Sequence, residues 1–202
     1  AGTLGGFVES EANLSHVGDC WIFDNAKVFG DAWVSDNARI SGYAWVYGSA
    51  WVSDSAWVYR NAQVFGHSKV SGNAKVYGNA RVYDNAWVTG NAKVFDNAWI
   101  FSDAQVFGHS TVAGNAMVYD NARVFDDAQV FSDAQVSGNA KVYDMASVTG
   151  DAYVKGYAEV FGNAEVFDNA QVFDSAQVSG NAKVFGNAEV YGNSQVFGNM
   201  EI

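Results

Sequence analysis

The chain has 202 residues, 49% of them apolar, which excludes a disordered polar polymer and leaves room for one ordinary domain or one elongated solenoid. Its net charge of −11 is uneven: residues 102–202 hold four Lys/Arg against thirteen Asp/Glu, residues 1–101 seven against nine. So acidic a half repels a phosphate backbone and excludes nucleic acid as an ordinary partner. No apolar run is long enough to span a membrane. The lone Cys20 excludes an internal disulfide framework and fits a reducing compartment. No basic start followed by an apolar run marks a secretory signal, so a cytoplasmic location is expected. The chain opens on Ala1 rather than Met, which leaves room for residues upstream.

In chain order, residues 1–18 come first and are irregular. They are predicted to be an N-terminal capping segment, with Phe7, Val8, Leu14 and Val17 plugging one end of a core and His16 in the inward frame. Residues 19–202 are predicted to form a single repeat solenoid. From Ile22 every sixth residue to Ile202 is Val or Ile, 31 positions with no slip. Two places earlier stands a small residue: Cys20, then Ala from Ala26 onward, with Ser68, Ser110 and Ser194 as exceptions and Met200 last.

Small-x-Val puts both named side chains on one side of an extended strand. The intervening residue and the one after Val point outward. The next two, such as Gly78-Asn79 or Asp84-Asn85, form a corner, because Gly, Asn and Asp suit left-handed or turn backbone. A helix is excluded: period six does not match 3.6. With no Pro in the chain, every N–H is free to join a ladder. Such hexads stack into a solenoid with Val and Ala ladders inside. Three sides predict a triangular coil of 18 residues, about ten coils and a rod on the order of 50 Å long; a two-sided 12-residue coil is the runner-up.

The repeated units "IFDNAK" (22–27) and "VYGNAR" (76–81) resemble the hexapeptide-repeat family, over roughly residues 13–202. The opening "AGTLGGFVESEANLSHVGDCWI" is similar to the lead-in of a subgroup of bacterial and prophage members often named as acyltransferases. The resemblance implies an all-β fold, a left-handed parallel β-helix solenoid. For an enzyme of that family it implies a trimer, an acyl-CoA cofactor and a His as general base. The chain departs from that plan: no loop interrupts the hexads from 22 to 202, and no helical segment follows.

Under the acyltransferase reading the catalytic candidates are His67 and His109. Both stand in "FGHS", on a corner where Asn is usual, before a Ser where Ala is usual. Seven hexads separate them, two and a third triangular coils, so they belong to different corners. The bland reading is that His replaces Asn in left-handed backbone. Cys20 in the inward slot reads as a buried thiol rather than a nucleophile. Asp36 and Asp54, and Asp126 and Asp144, are each three hexads apart and stack, but two carboxylates are few for a cation, so no metal site is expected.

The outward aromatics are the anomaly. All seven Trp stand just before Val or Ile, and twenty of the thirty residues just after are Phe or Tyr. With three hexads to a coil, one face aligns Phe29, Tyr47, Phe65, Tyr83, Phe101 and Tyr119, resumes at Phe173 and Tyr191, and carries Trp45 and Trp99. Aromatic ladders stabilise a sheet, but a strip this long on a surface marks an interface. The expected function is therefore a non-catalytic structural or interaction solenoid that self-associates into a homo-oligomer, through this face or end to end through open coils. Such a protein needs no cofactor. A glycan on the aromatic face is a weaker expectation. The alternative is an acyl-CoA-dependent acyltransferase using acetyl-CoA or another acyl-CoA. The Lys/Arg residues that share the slot before Val read as solubilising charge.

Overall fold

The computed structural model describes residues 5–202. Among them are thirty-one strands of two residues each: a first at Phe7–Val8, then one per hexad from Trp21–Ile22 to Gln195–Val196. They build three parallel sheets of eleven, ten and ten strands. The first face runs from Phe7–Val8 through Lys27–Val28 and Trp45–Val46 to Glu189–Val190; the second from Trp33–Val34 to Gln195–Val196; the third from Trp21–Ile22 to Lys183–Val184. Each strand of the regular repeat pairs with the third strand after it, as in Val28↔Val46 and Val46↔Val64. The coil therefore has three sides of one hexad each, not two.

The strands are short because the hexad leaves only four residues between corners. Pairing makes up for that shortness. Phe29, Phe65 and Phe101 each donate their N–H to a carbonyl on the next coil, those of Val46, Val82 and Val118, at 3.0–3.1 Å. Between coils the core is a dry column: every Val and Ala of the frame from Val28 to Val184 is buried. No helix among the described residues is long and apolar enough to cross a membrane.

The corner is built by its first residue, which takes the left-handed backbone. That residue is Gly in most hexads and otherwise Asp at ten positions, Ser102, Ser132 and Arg60. Gly108 (φ 72°) shows why glycine is favoured: a Cβ there would lie 2.7 Å from the amide nitrogen of Asp126 on the next coil. Where Asp stands instead, its carboxylate supplies an acceptor that glycine lacks. The N–H of the left-handed residue lies outside the inter-coil ladder, and in eight places an Asp one coil earlier accepts it, as Asp54 does from Gly72 at 2.8 Å.

The first coil departs from the repeat. Val8 is in register with Val28, and Leu14 bridges Val34, so each pair stands two places further apart in the chain than Val28 and Val46. The two extra residues lie between Leu14 and Ile22, eight apart where their partners Val34 and Ile40 are six apart; the 3-10 turn at Glu11–Asn13, capped by Ser10, falls between Val8 and Leu14, which keep the six-residue spacing. Leu14, not His16, therefore enters the inward frame. This corrects the expectation for His16, whose imidazole is exposed and meets Glu11 at 3.0 Å. Val8 and Leu14 pack against the core as expected, whereas Phe7 and Val17 do not, being 56% and 78% exposed. Asn13 holds the longer coil in place. It is buried, its amide donates to the carbonyls of Gly30 and Ala32 at 2.8 and 2.9 Å, and its oxygen accepts from Ser10 N–H at 2.9 Å.

Candidate functional site

The first face carries the aromatic strip anticipated from the spacing. Phe29, Tyr47, Phe65, Tyr83, Phe101 and Tyr119 form one stack with centroids 4.8–5.0 Å apart and planes within 5° of parallel. That separation is the strand spacing of the sheet itself. Trp45 and Trp99 stand edge-on to Phe29 and Tyr83 at 6.2 and 6.4 Å and stay 40% and 37% exposed. The stack breaks at Ser137 and Lys155, then resumes as Phe173–Tyr191 at 5.4 Å and 16°. Each ring in the stack is half-buried, because its neighbours cover its two faces.

The other two faces carry ladders as well: Tyr59–Tyr77–Phe95 on the third, and Phe107–Phe125–Tyr143–Phe161 on the second. The same three-hexad step applied to Tyr59 or Phe107 finds them. Burial pushes the phenols of Tyr47, Tyr59, Tyr77 and Tyr83 up from their usual range. Burial, followed by the nearby Glu159 carboxylate, pushes Tyr143 up to about 12.

The cations do more than solubilise. Lys69 lies between Trp51 and Trp87, 5.1 Å from each ring, and Arg39 and Lys75 lie on either side of Trp57 at 5.3 and 5.4 Å. Lys27 covers Trp45 and Arg81 covers Trp99. Six of the seven Trp thus have a Lys or Arg in register one coil away, while Trp33 faces Trp51. A cation over an exposed indole contributes about 0.5–1 kcal/mol. The signal was in the sequence, as Trp and Lys/Arg in one slot at a spacing of three hexads.

His67 is exposed on the corner between the first and second faces, and His109 on the corner between the second and third. The structure does not bring them together. Their backbone is not left-handed; the preceding Gly66 and Gly108 are, both at φ 72°, so His does not replace Asn for its backbone preference. The second corner position instead stacks side chains between coils. Asn61, Asn79, Asn97, Asn115 and Asp133 form one chain of amide hydrogen bonds at 2.9–3.1 Å. His109 ends another: Asn73 donates to Asn91 at 3.0 Å, and Asn91 Nδ2 is 3.4 Å from His109 Nε2. The Ser residues that follow the histidines are buried, and their hydroxyls donate to Phe65 and Phe107 carbonyls at 2.8 Å. They are satisfied core residues, not nucleophiles.

Cys20 is half-buried, and burial raises its thiol. Three of the four stacked carboxylates are engaged with backbone: Asp36 accepts from Asp54 N–H at 3.3 Å, Asp54 from Gly72 N–H at 2.8 Å, and Asp144 from Gly162 N–H at 3.0 Å. No group of three or more ligating side chains is gathered among the described residues.

A family model described as the YdcK Beta solenoid repeat matches residues 32–48 and 74–90, each stretch a little under one coil. No curated protein matches the chain. The likeness to that repeat and the three parallel sheets agree on a β-solenoid repeat protein.

Proposed function

We propose that the chain is a non-catalytic structural solenoid that self-associates side by side through its first face. One observation carries the reading: the six-ring stack from Phe29 to Tyr119 is unbroken and nearly untwisted, and Trp45 and Trp99 beside it remain exposed. A flat, regular strip presents the same relief at every coil, so it complements a second copy over a long contact. Within the stack the ring faces cover one another and only edges are offered outward, which favours a protein surface over a stacked sugar. The interface comprises the stack with Trp45, Trp99, Phe173 and Tyr191. Residues 1–18 serve as a cap, supported by the inward packing of Val8 and Leu14 and by the bonds of Asn13.

The second reading is an acyl-CoA-dependent acyltransferase of the left-handed hexapeptide-repeat kind. Its support is the family resemblance and the exposed imidazoles of His67 and His109. Light scattering over a concentration series, with and without acetyl-CoA, separates the two. A discrete oligomer indifferent to acetyl-CoA, weakened at least tenfold by Trp45→Ser with Trp99→Ser, is the expected outcome. A monomer at every concentration overturns self-association. A trimer that binds acetyl-CoA and loses turnover in His67→Asn or His109→Asn supports the enzyme. Growing filaments in electron micrographs, unaffected by the Trp variants, point to end-to-end stacking instead.

A further inference from the structure

Ten of the eleven Lys and Arg side chains, all of them among the described residues, have a partner within the molecule. Eight lie over an aromatic ring, and Lys141 and Lys183 pair with Glu159 and Glu165. Among the described residues Lys93 alone has neither an ion pair nor a ring. It is exposed on the third face, directly in register with Lys75. Like charges opposite one another on adjacent strands destabilise a sheet. The one other such pair among the described residues, Arg123 and Lys141, is relieved internally: Arg123 lies over Phe107 and Phe125, and Lys141 meets Glu159 at 2.8 Å. At the Lys75–Lys93 pair only half the relief exists, since Lys75 leans back over Trp57 at 5.4 Å.

Beside Lys93 lies an open groove of about 410 Å³, lined by Asn73, Lys75, Asn91, Lys93 and His109. No carboxylate lines it, in a chain of charge −11. The corner that forms its wall reads Gly72-Asn73, Gly90-Asn91 and Gly108-His109, while the coils before and after place Asp54, Asp126 and Asp127 at the same corner. The wall supplies donors. In the chain Asn73, Asn91, His109 each amide spends one hydrogen on the next side chain and keeps its second. Lys93 adds three more, on an ammonium.

We propose that this groove binds a tetrahedral phosphate-class oxyanion, either inorganic phosphate or the terminal phosphate of a small monoester, with Lys93 as its main charge. Charge-assisted bonds from an ammonium, flanked by amide and imidazole N–H groups, match such an anion. Binding also removes the repulsion that Lys75 and Lys93 now exert on each other. The site does not depend on self-association or on catalysis.

The test uses the imidazole proton signals of His16, His67 and His109 in the whole chain, at fixed pH and ionic strength, as inorganic phosphate or glycerol phosphate is added. The His109 signal is expected to move along a saturating curve with Kd of about 1–10 mM, while His16 and His67 stay in place. Lys93→Gln should weaken binding at least tenfold. Gln already fills that slot at Gln63 and Gln105, so the variant keeps the fold, which its circular dichroism checks. Lys183→Gln should leave binding unchanged. Tenfold tighter binding of glycerol phosphate assigns a monoester; equal binding assigns the free ion. If all three histidines shift alike without saturating, or Lys93→Gln responds as the parent does, the proposal is wrong.

Discussion

At the scale of single residues, the polar side chains carry the irregular parts of the fold. Asn13 replaces with its side chain the backbone N–H that the 3-10 turn bonds to Ser10, satisfying two carbonyls that would otherwise be orphaned. A buried polar group left without its partner costs about 1–3 kcal/mol. Asn13→Ala is therefore expected to lower stability by about 2–3 kcal/mol, read from urea unfolding, with the loss confined to the N-terminal coils in hydrogen exchange. The tyrosines of the ladders make a second prediction. Their folded pKa values lie above the ordinary phenol value, so the neutral ring is favoured in the fold. The stability this brings is intact below about pH 10 and is lost as pH rises through the folded values, which for Tyr143 reaches about 12. Tyrosinate absorbance and circular dichroism should change together in that window. Phenols that ionise below it with the fold intact would contradict the assignment.

At the scale of the strand and its corner, one hexad is a complete instruction and the next hexad repeats it. The inward Val and Ala, the outward ring and the two-residue corner were legible because each follows from alternation and turn chemistry at one fixed period. The alignment of Phe29 with Tyr47 and Phe65 was legible once three hexads were taken as the coil. Two features were hidden for physical reasons. The slip at Leu14 comes from two extra residues between Leu14 and Ile22 that no hexad encodes, so the inward frame extrapolated back to His16 missed Leu14. The use of Asp54 and its kin as acceptors depends on side-chain rotamers reaching the next coil, which spacing alone does not reveal. Val94 tests the inward assignment. It is fully buried, and Val94→Asp puts an unpaired charge into the dry column, at a cost of at least about 3 kcal/mol. Loss of the strand signal in circular dichroism at neutral pH is expected; an unchanged urea midpoint would sink the assignment.

Over the whole molecule, the acids outnumber the cations two to one, and thirteen of the 22 acids lie in residues 102–202. Two copies side by side repel over any distance that salt does not screen. Screening shortens from about 30 Å at 0.01 M salt to about 8 Å at 0.15 M. The mass measured by light scattering is therefore expected to rise with added salt, because the proposed contact is aromatic and the opposing force is electrostatic. A mass that falls with salt would assign the contact to ion pairs rather than to the first face.

The pairing of each strand with its counterpart one coil away also governs how the rod answers a pull. No coil holds any but its two neighbours, so a tension applied between the two ends loosens the outermost coil first and leaves the rest intact. Each release frees one coil, about 60 Å of slack when drawn straight. Stretched between a bead and a surface, the molecule should lengthen in a staircase of near-equal treads, like cord paid out from a spool one turn at a time.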